Sequence, residues 1–402
     1  MKFKQLAFVT LAAFGVAQGV QAQSVSGDTV KIGFITDMSG LYADLDGPGG
    51  AEAIKMAIAD AGGSVLGKKI EFISADNQNK ADVAASKARE WFDTQGVDMI
   101  VGGTNSAAML AISKVAAEKK KLFIVVGSGS TRITNEDCAP ASTLHYAYDT
   151  RALGYGTGSA VTKAGGKSWF FLTADYAFGQ SLEKDTSEVV KANGGSVVGS
   201  VRHPLSASDF SSYLLQAQSS KAQILGLANA GGDTINAIKA ANEFGVTGSM
   251  KLAGLLMFIT DIHALGLKAT QGMYLTDSWY WNQTPESRTW SRRYFDKMKK
   301  MPSSVQAADY SVASNYLKAV AAAKSDDTDA VMKQLKSAPI NDFYVKNAVV
   351  RDDGKVVHDM FLFQVKTPAE SKEPWDYLKE VAVVAGDKAY NSKAESRCAV
   401  WK

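Results

Sequence analysis

The 402-residue chain holds only two cysteines, Cys138 and Cys398, and four histidines. So few soft donors exclude a cysteine-rich zinc or iron–sulfur centre, and His145, His203, His263 and His358 stand singly rather than at metal-ligand spacing. Catalytic signatures are missing as well: there is no HExxH, no GxSxG and no GxGxxG after a strand. Gly166-Lys167-Ser168 ends like a phosphate loop, but the glycine needed five residues earlier is Val161. No cofactor is therefore expected. An excess of one charge is absent too. The formal net charge is +3, and losing Lys2 and Lys4 with a leader leaves +1. That balance gives no reason to expect nucleic acid or an anionic membrane surface as a partner. Beyond residue 22 no run is long and apolar enough to span a membrane, so no insertion of the mature chain is expected.

What is present begins with a leader. Lys2 and Lys4 precede an apolar run from Leu6 to about Val20, and Val20-Gln21-Ala22 offers small residues for cleavage. This pattern is a secretory signal peptide over residues 1–22, cut after Ala22, and it places the mature protein in the periplasm. In that oxidising compartment the even cysteine count predicts a Cys138–Cys398 disulfide that pins a C-terminal tail, 393–402, to the body.

The most informative part of the mature chain runs from Val97 to Thr134. Val97–Val101 and Leu122–Val126 are short apolar runs ended by Gly102-Gly103 and by Gly127-Ser128-Gly129-Ser130. Between them Ala108, Ala111, Ile112, Val115 and Ala116 recur at helical spacing. Strand, helix and strand this close form a βαβ unit with parallel strands. Both loops then leave the carboxyl ends of their strands, where open α/β sheets hold ligands. Asn105 and Ser106 stand where the helix should begin, so its exposed amides and dipole favour an anion. Capping by Asn105 and turning by the glycines would account for one such loop. Two in succession on one edge point to a site.

Similar units flank this one. Thr29–Thr36 and Lys69–Ser74 read as strands before it; Lys167–Thr173, Ser196–Val201, Gln223–Ala228, Leu252–Met257 and Met273–Thr276 read as strands after it. The last third offers helices over Val312–Ala323 and Thr328–Leu335 and a hairpin turning at Asp352-Asp353-Gly354-Lys355. The fold class is α/β, with two doubly wound lobes.

Several segments carry a family resemblance. Ile32–Gly40 (IGFITDMSG), Val101–Ala108 (VGGTNSAA) and Asp175–Gln180 (DYAFGQ), together with the leader, resemble periplasmic solute-binding proteins of ABC importers, the group typified by the leucine/isoleucine/valine-binding protein. SADNQNKAD, LANAGGDTINAIKAANEFG and PAESKEPWDYLK are similar to a branch that includes binders of aromatic acids. The resemblance implies a type I periplasmic-binding fold with three crossovers, near Tyr148, Thr276 and Tyr344. Lobe 1 would be 28–148 and 277–345, and lobe 2 would be 149–276 and 346–392. It implies no enzymatic activity. The partners implied are a small hydrophobic carboxylate and an inner-membrane ABC permease that receives it.

The resemblance also implies a ligand set. Ser106, beside Asn105, matches the hydroxyl that holds a ligand carboxylate, and Ser128 and Ser130 match the pair after the next strand. Phe178 matches a second-lobe aromatic that is tyrosine in the amino-acid binder. Asn229 matches a polar loop contact, Tyr42 lies near the first-lobe contact, and Trp279, Tyr280 and Trp281 form an aromatic rim, where for Tyr280 and Trp281 interlobe packing is a nearly equal reading. One position departs. Where the amino-acid binder has a glutamate for the ligand ammonium, this chain has Leu255-Leu256-Met257-Phe258. The expected function is capture of a branched-chain or aromatic amino acid, or an aromatic acid, by hinge closure, with the departure favouring an acid without an amino group. The alternatives are a ligand-sensing subunit presenting its closed form to a receptor, and an exported hydrolase.

Overall fold

The computed structural model describes residues 25–401, and the expected leader lies outside the described residues. The first sheet has six strands: β1 (Thr29–Thr36), β2 (Ser64–Val65), β3 (Lys68–Asp76), β4 (Met99–Gly102), β5 (Leu122–Val125) and β6 (Thr143–His145), in the order β2-β3-β1-β4-β5-β6. All pairs are parallel except the β2–β3 ribbon. Helices α1 (Gly47–Asp60), α2 (Ala81–Thr94) and α3 (Ser106–Lys119) make the crossovers. A parallel sheet needs both faces covered. On β1, Val30, Ile32 and Phe34 enter one apolar cluster, while Ile35 enters another with Ala84, Ala88 and Trp91 of α2. Burying each of the larger side chains contributes about 1.5–3 kcal/mol.

The second lobe repeats the plan. β7 (Ser168–Ala174), β8 (Ser196–His203), β9 (Ile224–Ala228) and β10 (Lys251–Gly254) lie parallel in the order β10-β9-β7-β8. After β11 (Tyr274–Asp277) the chain returns to the first lobe, where the helix Ser304–Ala323 packs on α1. A hairpin of β12 (Val349–Val350) and β13 (Val356–Val357) follows. Then β14 (Met360–Val365) and β15 (Leu378–Val384) join β11 in an antiparallel sheet.

Two details differ from the sequence-based expectation. The third crossover falls at His358–Asp359, not near Tyr344, because β12–β13 rests on the first sheet. The His145 amide donates to the Gly354 carbonyl at 2.9 Å, and His145 and Lys355 form a parallel bridge. Gly354 has φ +88, and a Cβ there would lie 2.5 Å from the Thr143 carbonyl oxygen, so only glycine allows this approach. Residues 346–357 therefore stay with the first lobe. The expected strand Leu252–Met257 also stops early, at Gly254. Leu255–Phe258 leave the sheet as a buried apolar segment, and apolar runs do not separate strand from buried loop.

Cys138 and Cys398 form the expected disulfide, closing a separation of 260 residues.

Candidate functional site

The two loops singled out in the sequence meet at the edge of the first sheet. A Cβ on Gly127 would lie 2.9 Å from the Gly103 carbonyl carbon, so the loops touch backbone to backbone. Ser128 Oγ donates to the Gly103 carbonyl at 3.1 Å, and His145 Nε2 pairs with the Ser128 carbonyl at 2.7 Å. Burial, then the nearby Lys355, holds the His145 pKa well below the ordinary histidine value, so it stays a neutral donor here. Asn105, at φ +74, caps α3: its Oδ1 accepts the Ala108 N–H at 3.1 Å. The amides of Ser106 and Ala107 precede the first intrahelical bond and have no partner within the helix. Ser106 Oγ accepts the Ser130 N–H at 3.2 Å, which leaves the hydroxyl proton of Ser106 available to donate.

These donors line one end of a small, tightly walled cavity between the lobes. Its walls are mostly aromatic. Tyr42 and Tyr148 come from the first-lobe side, and Tyr176, Phe178 and Phe258 from the second, with Leu45 and Leu256 filling between them. Tyr148 and Phe258 have ring centroids 6.2 Å apart, and Tyr176 and Phe178 6.1 Å. A Cβ on Gly129 would stand 2.9 Å from the Tyr148 ring and 3.1 Å from that of Phe178, so the missing side chain makes room for these rings. The Tyr148 hydroxyl donates to the Gly127 carbonyl at 2.8 Å, which fixes its ring against the loop.

No aspartate, glutamate, lysine or arginine lines this cavity. None of the four acids nearest in the sequence pattern lines the cavity, although Asp233 keeps one buried oxygen, Oδ1, without a partner. Asp261 accepts the Phe258 N–H at 2.9 Å, Asp277 accepts that of Ser278 at 2.7 Å, and Asp233 accepts that of Ser206 at 3.1 Å. Asp175 pairs with Arg202 at 3.2 Å on the surface. Burial pushes the carboxyls of Asp261 and Asp277 up to about 7, which weakens them further as permanent anions.

Of the residues named from sequence, the structure brings Asn105, Ser106, Ser128, Tyr42 and Phe178 to the cavity wall. Ser130 stands one step behind, donating its N–H to Ser106 and pairing its hydroxyl with Ser181 at 2.8 Å. Asn229 is turned into the second lobe, where its amide meets His203 Nε2 at 3.1 Å and its Oδ1 accepts from Thr234 at 2.6 Å; Ala230 takes the wall position. Trp279 and Tyr280 lie outside the cavity: for Tyr280 this is the packing alternative, and for Trp279 it departs from the expected rim. Trp279 Nε1 donates to Ser287 Oγ at 3.0 Å and to the Phe343 carbonyl at 3.2 Å, and the Tyr280 hydroxyl donates to the Trp375 carbonyl at 2.8 Å. Their polar atoms are committed to lobe packing. Tyr148, Tyr176 and Phe258 line the cavity with no signal in their spacing, beyond the place of Tyr148 and Tyr176 shortly after strands.

Two lobes, three crossovers and a cavity between them at the strand ends are the architecture of a two-lobed ligand-binding fold. A profile for periplasmic binding proteins matches residues 29–372, and the chain belongs to that family, with its type I fold. Among solved structures, a periplasmic binding protein of Burkholderia mallei is 69% identical, covering 93% of this chain and 100% of that one, with a TM-score of 0.92. A branched chain amino acid ABC transporter periplasmic ligand-binding protein of Burkholderia xenovorans is 38% identical over 93% and 100% of the two chains, with a TM-score of 0.82. A solute binding protein of an ABC transporter from Rhodopseudomonas palustris, solved with 3,4-dihydroxy benzoic acid, shares the fold at 22% identity over 90% and 98%, with a TM-score of 0.78.

Proposed function

We propose that the protein captures a small aromatic or otherwise hydrophobic carboxylate without an α-ammonium group and delivers it to an ABC permease. The carrying observation is the cavity lining: five aromatic rings, a hydroxyl-and-amide end, and no charged side chain. A carboxylate finds donors in the Ser106 hydroxyl and the first amides of α3, where the helix dipole favours an anion. An ammonium would find no carboxylate there, and an unpaired buried charge costs several kcal/mol. The rings suit a planar apolar body. The Rhodopseudomonas palustris complex supports the reading by showing an aromatic acid on a protein of this fold. The Burkholderia xenovorans relative is named for branched-chain amino acids, whose ammonium group is unprovided for here. A ligand touching both lobes shifts the population towards the closed form, which is the form a permease would receive.

Ser106→Ala tests the anchor. A hydrogen bond to a charged group is worth about 1.5–3 kcal/mol, so benzoate affinity in calorimetry should fall roughly ten- to hundredfold with the fold intact. Equal affinity for parent and variant would remove Ser106 from the carboxylate end.

A further inference from the structure

We propose that the Tyr42–Tyr176 hydroxyl pair is a latch between the lobes, which holds the closed form and sets how long a ligand stays. The inference rests on reading the cavity as the ligand site. Tyr42 follows β1 in the first lobe, Tyr176 follows β7 in the second, and their hydroxyls meet at 2.6 Å. Each side is carried on an anchored backbone. The Tyr42 N–H donates to Asp37 Oδ2 at 2.8 Å; the Tyr176 N–H donates to the Ala174 carbonyl at 2.8 Å, and the Tyr176 carbonyl accepts from Gln180 at 3.1 Å. The pair therefore forms on closure without reordering either loop, which keeps its entropic cost low. One backbone bond lies beside it, Gly232 N–H to the Leu41 carbonyl at 3.2 Å.

Other polar ties join the lobes, among them Ser130 Oγ to Ser181 Oγ at 2.8 Å and, just after the second crossover, the Tyr280 hydroxyl to the Trp375 carbonyl at 2.8 Å; two lie at or near the first crossover. Thr131 Oγ1 donates to Asp185 at 3.0 Å, and Thr150, at the first crossover, donates to the same carboxylate at 2.5 Å. Groups beside a hinge separate little when the lobes open. The tyrosine pair stands on loops outside the crossover segments, so opening must break it. Burial raises both phenol pKa values, so both remain O–H groups, one donating and one accepting, at any ordinary pH.

The test uses the full mature chain, its Tyr42→Phe and Tyr176→Phe variants and the double variant. Phenylalanine keeps the packing and removes only the hydroxyl. Small-angle scattering of the ligand-free proteins reads the open-to-closed ratio, and stopped-flow with benzoate reads rates. Either single variant should raise the open-to-closed ratio, and the benzoate dissociation rate, by about three- to tenfold, with association nearly unchanged. The double variant should add nothing further, because one bond is lost once. Single variants that leave the ratio unchanged, or a double variant that shifts it by the product of the two, would overturn the latch. Shifted ratios without any benzoate binding would keep the latch and refute the ligand class. Benzoate binding that Ser106→Ala abolishes, beside tyrosine variants identical to the parent, would do the reverse.

Discussion

Replacing Cys138 and Cys398 together by serine should lower the free energy of unfolding by about 2–5 kcal/mol. The bond closes a separation of 260 residues, and in the chain-entropy view a longer loop leaves the unfolded chain more freedom to regain. The rest of the tail is held by weaker means. Arg397 pairs with Glu136 at 3.3 Å and its amide donates to Asn135, while Arg351 stands 4.1 Å from the Trp401 ring. Exposed ion pairs of this kind are worth about 0–1 kcal/mol. Urea unfolding followed by circular dichroism should therefore show a lower midpoint for the double variant with a native spectrum in buffer. An unchanged midpoint would mean that the tail docks without its covalent tie.

The second large effect comes from two acids buried behind the cleft. Asp46 precedes α1 and Asp309 lies in the helix Ser304–Ala323; both are fully buried, and both oxygens of Asp309 and Oδ1 of Asp46 lack any other partner. They converge on Gly50, where a Cβ would stand 2.3 Å from Asp46 Oδ1 and 2.4 Å from Asp309 Oδ2. Two carboxylates cannot both ionise at such range in the interior, so the pair shares a proton. Burial pushes Asp46 up to about 6; burial, and then Asp46 itself, pushes Asp309 well above its ordinary value. The sign follows. Unfolded aspartates release their protons near pH 4, whereas the folded pair keeps one above that pH. Stability from this pair is therefore full below about pH 4 and is lost as pH rises through the folded titration. Asp309→Asn supplies a neutral N–H donor to Asp46 and removes the conflict. Its stability relative to the parent should be nearly equal at pH 5 and higher by about 1–3 kcal/mol at pH 8. Urea midpoints at the two pH values check this, and a difference that does not grow with pH would contradict the shared proton. Asp46 also accepts from Thr36 at 2.5 Å, and Thr36 meets Thr104 of the cavity wall at 3.2 Å, so the pair stiffens the ground on which the site stands.

The part of this design that the sequence makes legible is the part built from local chemistry. Gly102-Gly103 and Gly127–Ser130 stand out because strand ends that approach a neighbouring backbone need glycine, and Asn105 and Ser106 because a helix start needs a cap. The disulfide follows from counting. The rings are harder. Phe258 sits in an apolar run that reads as strand, and only the early end of β10 turns it towards the cleft. Tyr148 and Tyr176 reach the same cavity from different lobes, a meeting set by the hinge rather than by spacing. Trp279 and Tyr280 look like a rim from their clustering, but the partners that claim them, Phe343 and Trp375, lie 64 and 95 residues away. The third crossover is hidden for a similar reason: Gly354 reads as a hairpin turn, and its contact with Thr143 belongs to tertiary structure.

The most direct measurement is titration calorimetry of the mature protein, stripped of ligand by unfolding and refolding, against benzoate, 4-hydroxybenzoate and 3-phenylpropanoate beside leucine, valine and phenylalanine. A cavity with five rings, a hydroxyl-and-amide end and no charged side chain should bind at least one of the three acids more tightly than every amino acid, by roughly tenfold or more, since each uncompensated 1.4 kcal/mol is a factor of ten. Tight binding of the amino acids with none of the aromatic acids would contradict the account and would mean that one of the aspartates now turned away swings in to hold the ammonium.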